Sequence, residues 1–194
     1  NAEEAEKEER KRQDQLASIQ AERAEARVLS GIPKRFDQKT LDGYQAANEG
    51  QVKALAACRS LVESVRSGGG ANLILSGKPG TGKTHLAAGI GIALMEQGRS
   101  VLFYTVMRAI RRVKDTWSRE SKESESEAIA ALVEPDLLIL DEVGIQFGSE
   151  TEKLILFDIL NERYEKRRAC ILLSNLSIGE ISAFLGERVI DRLR

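Results

Sequence analysis

Eight residues with the pattern G-x-x-x-x-G-K-[ST] constrain this 194-residue chain more than any other feature of its sequence. They read GKPGTGKT, and they lie between an apolar stretch that predicts a strand and a pattern that predicts a helix. Glycines in such a loop let backbone N–H groups face phosphate oxygens, and the helix N-terminus adds partial positive charge. Lys83 is expected to reach the β and γ phosphates, and the Thr84 hydroxyl to bind Mg²⁺. The residues predicted to contact the nucleotide are Gly77, Lys78, Pro79, Gly80, Thr81, Gly82, Lys83, Thr84 and His85.

Short apolar runs alternate with helical patterns from residue 71 onward. The predicted strands are 72–76, 100–105, 136–140 and 169–174. The predicted helices are 45–66, 83–97, 106–132 with a polar interruption near 118–126, 150–168, 178–185 and 187–194. Strands that alternate with helices predict an α/β fold in which a parallel sheet is covered on both faces.

An acidic pair, Asp141 and Glu142, follows the apolar run LLIL of the third predicted strand. A carboxylate at the end of that strand can hold the Mg²⁺ shell opposite Thr84. The next carboxylate, on Glu142, can orient or deprotonate an attacking water. The pair therefore predicts a site that hydrolyses a nucleoside triphosphate.

Residues 1–30 differ from the rest, because 14 of them are charged and none is Gly or Pro. Good helix formers dominate and large apolar residues are few, so this segment predicts a solvated helical arm or a tether. Over the whole chain 29 Lys and Arg balance 30 Asp and Glu, which excludes a globally basic coat for nucleic acid but not a local patch.

Cysteine and histidine are scarce, with two and one residues, which excludes a disulfide scaffold and a His-rich metal site. No apolar run approaches the ~18 residues of a membrane span, and the N-terminus is charged rather than apolar. We therefore expect a cytoplasmic protein with no membrane partner.

Four segments resemble the DnaC-type loaders of the bacterial replicative helicase and related DnaI-type, DnaA-type and IstB-type ATPases. They are SGKPGTGKTHLAAGIG, LLILDEVGIQ, LLSNLSIGEI and LGERVIDRLR. The resemblance, which covers about residues 30–194, implies a three-layer P-loop AAA+ fold of the ASCE branch. It also implies binding of ATP or ADP with Mg²⁺, binding of single-stranded DNA, assembly into a spiral or filament, and opening of a hexameric helicase ring.

Individual roles follow from the same resemblance. Asp141 and Glu142 match the magnesium-binding and water-activating pair, and the strand that ends in Asp141 is expected beside the strand of the phosphate loop. Asn175 matches the polar sensor of the γ-phosphate, although an Asn there can also simply start a turn. Arg192 matches the finger that completes a neighbour's site by stabilising charge on the γ-phosphoryl oxygens. Arg188 is a weaker candidate, and both could instead belong to a solvated basic face.

The resemblance also divides the chain. We expect residues 1–30 to be a charged helical arm or linker, with a helicase-binding N-terminal domain lying upstream of it. Residues 31–194 are expected to form the AAA+ ATPase domain, with a lid that is absent or truncated. Phe36 and Leu41, ahead of the loop, match a segment that often lies near the adenine, although a role in the core is an equal alternative.

Six cations between residues 108 and 122 surround Trp117, the only tryptophan. Such a stretch suits single-stranded DNA, because the aromatic ring can stack on a base while the cations contact phosphates. The family has a DNA-contacting aromatic residue in a matching stretch. The alternative is a Trp that packs on the sheet beside a solvated face. Ser149 and Thr151 match DNA-contacting positions of the family.

Two other functions remain open at this point. An IstB-like transposition helper would share both nucleotide motifs but would act with a transposase. A P-loop kinase for a small molecule would share the phosphate loop, but Asp-Glu, Asn175 and the GERVIDR helix argue against it.

Overall fold

The computed structural model describes residues 2–144 and 149–193 as one parallel sheet with helices on both faces. The strands are β1 (Asn72–Ser76), β2 (Val101–Thr105), β3 (Leu137–Asp141) and β4 (Ala169–Ser174). The helices are α1 (Ala2–Leu29), α2 (Glu49–Arg66), α3 (Lys83–Met95), α4 (Val106–Asp115), α5 (Glu125–Val133), α6 (Glu150–Glu165), α7 (Ile178–Leu185) and α8 (Glu187–Leu193). None of the described helices is both long and apolar enough to cross a bilayer.

Alternate residues of the central strands point to opposite faces, as the period of a strand requires. Leu137 and Ile139 of β3 enter a core with α2 and α3, whereas Leu138 and Leu140 enter a core with α4, α5, α6, α7 and α8. Because β3 and β4 are buried on both sides, their sequences are continuous apolar runs rather than alternating ones. This arrangement confirms the predicted three-layer α/β fold.

The strand order, β1-β4-β3-β2, corrects the expectation that the strand of Asp141 lies beside the strand of the phosphate loop. β4 is inserted between them and pairs in parallel with β1 through Ile74 and Leu172, and with β3 through Leu140 and the same Leu172. All six residues of β4 are buried, as its place between two strands and two helical layers requires. Asn175, which follows β4, comes to lie between the loop and Asp141.

The long polar stretch 106–132 forms two helices rather than one. α4 begins at Thr105, whose hydroxyl accepts a hydrogen bond from the N–H of Arg108, and ends before Trp117. α5 begins with a capping box in which Ser124 and Glu127 each accept from the other's backbone N–H. The residues between the two helices are polar and mostly exposed, which explains why no helix continues through them.

The charged arm, α1, touches the body only near its C-terminal end in the part that the structure describes. Arg23 donates to the carbonyl of Glu96 at the end of α3, with an N···O distance of 2.9 Å. Ser30 follows the helix and is buried, and its carbonyl accepts a 2.6 Å hydrogen bond from the N–H of Phe103 in β2. The arm is therefore attached at the free edge of β2.

Arg163 is a buried cation in α6 that sequence reasoning did not single out. Its guanidinium donates to the carbonyls at the end of α5 and the starts of β3 and β4, namely those of Leu132, Val133, Pro135, Asp136 and Ala169. Burial lowers the pKa of Arg163 to about 10, so the side chain remains charged at neutral pH. A cation there also complements the negative end of the α5 dipole.

Both cysteines, Cys58 and Cys170, are buried and free. Burial raises the pKa of the Cys58 thiol to about 12 and that of Cys170 to about 11. Neither thiol is therefore a nucleophile at neutral pH.

Candidate functional site

The phosphate loop connects β1 to α3 and forms one wall of a cleft of about 540 Å³. Gly80 and Gly82 adopt left-handed φ values of 82° and 87°, which is the conformation that requires glycine there. Gly82 is the N-cap of α3, so the first N–H groups of the helix face the loop. The cleft is lined by Arg35, Phe36, Pro79, Gly80, Gly82, Lys83, Thr84, His85, Asp141, Glu142 and Asn175.

The ammonium of Lys83 lies at the centre of this cleft. It donates to the carbonyls of Gly77 and Lys78 at 2.6 and 3.0 Å, and to Oδ1 of Asn175 at 2.9 Å. Partial burial lowers the pKa of Lys83, and the nearby carboxylate of Asp141 opposes that shift. All three partners are neutral oxygens, so an anionic phosphate entering the cleft would compete with them for the same ammonium.

The hydroxyl of Thr84 and the carboxylate of Asp141 face each other across the cleft, with 3.5 Å between Oγ1 and Oδ2. Two adjacent ligands of octahedral Mg²⁺ are about 3 Å apart, and the ion prefers oxygen donors. The chemistry and spacing of this pair therefore fit Mg²⁺ held by one or two protein oxygens. The described residues contain no cluster of three or more His, Cys, Asp or Glu that would suit a protein-only metal cage.

Glu142 is exposed at the mouth of the cleft and has a left-handed φ of 64°, which is uncommon for a residue with a side chain. Its backbone N–H donates to Oδ1 of Asp141 at 2.7 Å. This contact leaves Oδ2 of Asp141 directed at Thr84 and fixes the turn after β3. Strained backbone of this kind is concentrated at functional sites.

The segment ahead of the loop divides into two parts. Phe36 lines the cleft together with Arg35, whose guanidinium lies 4.7 Å from the centre of the Phe36 ring. Leu41 instead packs on the α2 and α3 core, beside Gly89 of α3. Only Phe36 therefore lies where a nucleotide base could reach it, and Leu41 takes the core role that was its alternative.

Three contributors to the site lay outside the sequence prediction: Arg35, Tyr44 and Gln51. Arg35 lines the cleft, whereas the other two approach the phosphate loop from behind and donate to the carbonyl of Thr81. None of them falls in a motif, and their distance along the chain from residues 77–84 gave no signal of contact.

Arg192 lies on α8 at the opposite end of β1 from the loop. Its carbonyl accepts a hydrogen bond from Asn72, the first residue of β1, whereas the loop follows the last residue of that strand. Four steps of a strand span about 13 Å. The guanidinium lies over the rings of Phe157 and Tyr164, at 5.2 and 5.9 Å, and its Nη1 is buried without a hydrogen-bond partner in the described structure.

The three candidate DNA contacts lie around the C-terminal end of α4 and the N-terminal end of α6. Trp117 is 50 % exposed, which excludes a place in the core, and its Nε1 donates to Glu125 at 2.6 Å. Ser149 is the N-cap of α6 and Thr151 is exposed in its first turn. An ion pair of 3.2 Å between Lys114 and Glu152 joins the two helix ends.

Part of the positive charge near Trp117 is neutralised within the chain. Arg112 pairs with Glu123 at 2.5 Å, and Lys114 pairs with Glu152 at 3.2 Å. The net positive field at this surface is therefore weaker than a count of its six cations suggests.

Comparison with known proteins gave one family model and several relatives. The model described as IstB-like ATP binding protein matches residues 3–193. The replicative helicase loader DnaC of Escherichia coli (strain K12) is 41 % identical over 165 residues, which cover 85 % of this chain and 66 % of that protein. The chain thus spans just under two thirds of the length of this curated relative.

Solved structures with the same fold include a crystal structure of the DnaC helicase loader. It has a TM-score of 0.72 and 25 % identity, and the match covers 83 % of this chain and 94 % of that one. The replication initiator DnaA bound to AMPPCP and single-stranded DNA has a TM-score of 0.71 at 22 % identity, over 84 % of this chain and 48 % of that one. The second likeness concerns the fold alone.

Proposed function

The chain belongs to the family of IstB-like ATP binding proteins and has the AAA+ fold, and from that premise we propose that it is an ATP-hydrolysing helicase loader. Its role would be to help place a replicative helicase ring on DNA in the bacterial cytoplasm. The observation that carries the ATPase part is the convergence of Lys83, Thr84, Asp141, Glu142 and Asn175 on one cleft. The loader part is supported by the identity with DnaC over most of this chain.

ATP hydrolysis would use each of these side chains differently. Lys83 would move from its carbonyl partners to the β and γ phosphates, while the amide of Asn175 would contact the γ-phosphate. Thr84 and Asp141 would hold Mg²⁺, and the ion would neutralise part of the phosphate charge. Glu142, at the mouth of the cleft, would orient the attacking water and accept its proton.

Arg192 would act on the nucleotide of a neighbouring copy, in a spiral or filament. It lies at the far end of β1 from its own loop, so it is badly placed to serve its own nucleotide. Nη1 is buried without an acceptor in this conformation, so the guanidinium would have to turn away from the rings of Phe157 and Tyr164 to reach the neighbour's γ-phosphate. A guanidinium that enters a dry site in this way stabilises the charge that develops in phosphoryl transfer.

Single-stranded DNA would bind across the ends of α4 and α6. The half-exposed ring of Trp117 offers a face on which a base could stack, and the cations of α4 would meet phosphates. Ser149 and Thr151 would contribute hydroxyl contacts on the same surface. Residues 1–30 would serve as an arm that joins this ATPase domain to a helicase-binding domain.

The decisive experiment mixes the full-length protein with purified hexameric replicative helicase, with and without single-stranded DNA. We expect a stable complex by size-exclusion chromatography and ATP hydrolysis that rises when DNA is added. Lys83→Ala should abolish nucleotide binding in calorimetry, since the cleft loses its central cation. If the variant and the parent bind ATP with equal affinity, the cleft around Lys83 is not the nucleotide site.

An IstB-like transposition helper is the second candidate, because the matching family model is described as IstB-like ATP binding protein. The same chromatography with a partner transposase separates the two. A complex with the transposase and none with the helicase would replace the loader proposal while leaving the ATPase site unchanged.

A further inference from the structure

Two side chains outside the cleft converge on a single carbonyl of the phosphate loop. The hydroxyl of Tyr44 donates to the carbonyl oxygen of Thr81 at 2.7 Å, and the side-chain amide of Gln51 donates to the same oxygen at 3.3 Å. Tyr44 precedes α2 and Gln51 lies in its first turn. The carbonyl of Thr81 therefore points away from the cleft, towards α2.

The direction of this carbonyl determines the direction of the next N–H. No described peptide bond is cis, and in a planar trans peptide the C=O and the N–H point in opposite directions. With the carbonyl of Thr81 held against Tyr44, the N–H of Gly82 is turned towards the cleft that Gly82 lines. Inward-facing N–H groups are what a phosphate loop uses to bind its anion.

The ring of Tyr44 also closes the loop from behind. A Cβ at Gly82 would lie 2.5 Å from Cε2 of Tyr44, so the backbone and the ring are in the closest contact that a glycine permits. Gly82 already needs glycine for its φ of 87°. The ring thus fills the space into which the Thr81–Gly82 peptide would otherwise turn over.

Both donors are themselves held in place. The ring of Tyr44 meets the ring of His85 edge-to-face with centroids 5.3 Å apart, and Nε2 of His85 lies 2.9 Å from the carbonyl of Thr40. Oε1 of Gln51 accepts a 2.6 Å hydrogen bond from the N–H of Ala47. Burial, and to a lesser extent Cys58, raises the pKa of Tyr44, so the phenol remains a donor at neutral pH.

We propose that Tyr44 and Gln51 are positioning residues that clamp the Thr81–Gly82 peptide with its N–H facing the phosphate site. The proposal rests on the nucleotide-binding function proposed above and adds to it a device that prepares the loop before the nucleotide arrives. Neither side chain touches the nucleotide. Their contribution is to save the free energy of orienting this peptide on binding.

The test compares Tyr44→Phe, Gln51→Met and the double variant with the parent chain, by calorimetry with MgADP and with inorganic pyrophosphate. Each single variant keeps the approximate size of the side chain and removes one donor to Thr81, and Gln51→Met also removes the acceptor of the Ala47 N–H. We expect each to weaken both ligands by about 3–10-fold, as the loss of one modest hydrogen bond does. The double variant should lose affinity by more than the product of the two single-variant factors. In each single variant the remaining donor still holds the carbonyl of Thr81.

Tyr104→Phe is the matched control, since it removes a phenol hydroxyl from β2, a strand that does not carry the loop. It should bind both ligands as the parent does. In steady-state hydrolysis the clamp variants should raise KM while kcat stays within about twofold, because binding before the chemical step is what they weaken. Their melting temperatures should stay close to that of the parent.

If the double variant binds MgADP and pyrophosphate as tightly as the parent, the clamp proposal is wrong, whereas the proposed nucleotide site is unaffected. A fall in kcat and melting temperature that matches the loss of affinity would also overturn it, because the two residues would then merely support the fold. Failure of the parent chain to bind MgADP would overturn the proposed function and the clamp together.

Discussion

Replacing Arg163 with methionine should be one of the most destabilising single changes in this chain. Arg163 is 1 % exposed, and its Nη1 alone donates to three carbonyls, those of Leu132, Val133 and Pro135, at 3.0, 2.8 and 2.9 Å. Methionine fills much of the space but donates nothing. The carbonyls at the end of α5 would then be buried without partners.

The size of the effect follows from these contacts. A buried acceptor left without a partner costs about 1–3 kcal/mol, so the buried carbonyls of Leu132, Val133 and Ala169 would together cost about 3–9 kcal/mol in a rigid structure. Relaxation and entry of water reduce this sum, and we expect a loss of about 3–5 kcal/mol in the free energy of unfolding. Domains of this size have only about 5–15 kcal/mol in total.

Urea denaturation followed by far-ultraviolet circular dichroism measures the loss directly. Arg111→Met is the matched control, since Arg111 is exposed on α4 and its replacement should change the free energy of unfolding by about 0.5 kcal/mol or less. Arg163→Lys keeps a charge but has fewer donors, so its loss in the free energy of unfolding should lie between those of Arg163→Met and Arg111→Met. A loss below about 1 kcal/mol for Arg163→Met, or one equal to that of the control, would refute the argument.

Three further changes test the chemistry of the site. Glu142→Gln should keep ATP binding and block hydrolysis, and a parental hydrolysis rate would show that another group orients the water. Trp117→Ala should weaken single-stranded DNA binding by about 1–3 kcal/mol in fluorescence anisotropy; unchanged DNA affinity would exclude base stacking. Arg192→Ala should leave ATP binding intact but reduce partner-stimulated hydrolysis by about 10³-fold or more. Mixing it with Lys83→Ala should restore some activity, and a mixture with no activity, although both variants assemble, would contradict action between subunits.

The elements with strong local signals were predictable from the sequence. The strands 72–76 and 169–174 and the helix 178–185 have the predicted bounds, because an apolar run or a capping residue marks each end. The phosphate loop was predictable for the same reason, since its function is encoded in consecutive residues. Lys83, Asp141 and Asn175 line one cleft, and the roles that the resemblance implies for them stay predictions.

What could not be read from the sequence depends on contacts between distant segments. β4 lies between β1 and β3, but the strands have similar apolar runs, so their sequences do not indicate this order. Arg163 stands in the run NERYEKRR, whose charge predicts a solvated helix face, yet it is the one member that points into the core. Leu41 and Phe36 are five residues apart, and only the fold separates a core residue from one that lines the cleft.

The attachment of the arm to the sheet depends mainly on main-chain atoms. The carbonyl of Ser30 accepts a hydrogen bond from the N–H of Phe103. The next residue, Gly31, has a φ of 73°, and a Cβ there would lie 2.7 Å from the carbonyl oxygen of Phe103. Such a joint imposes little on the side chains of the arm other than Arg23, Ala26 and Arg27, which contact the body near the end of α3, but it does require a glycine after Ser30. It is also a mechanical anchor: a pull along α1 would be transmitted to Phe103 and, through the pairing of Thr105 with Asp141, to the strand that carries the acidic pair.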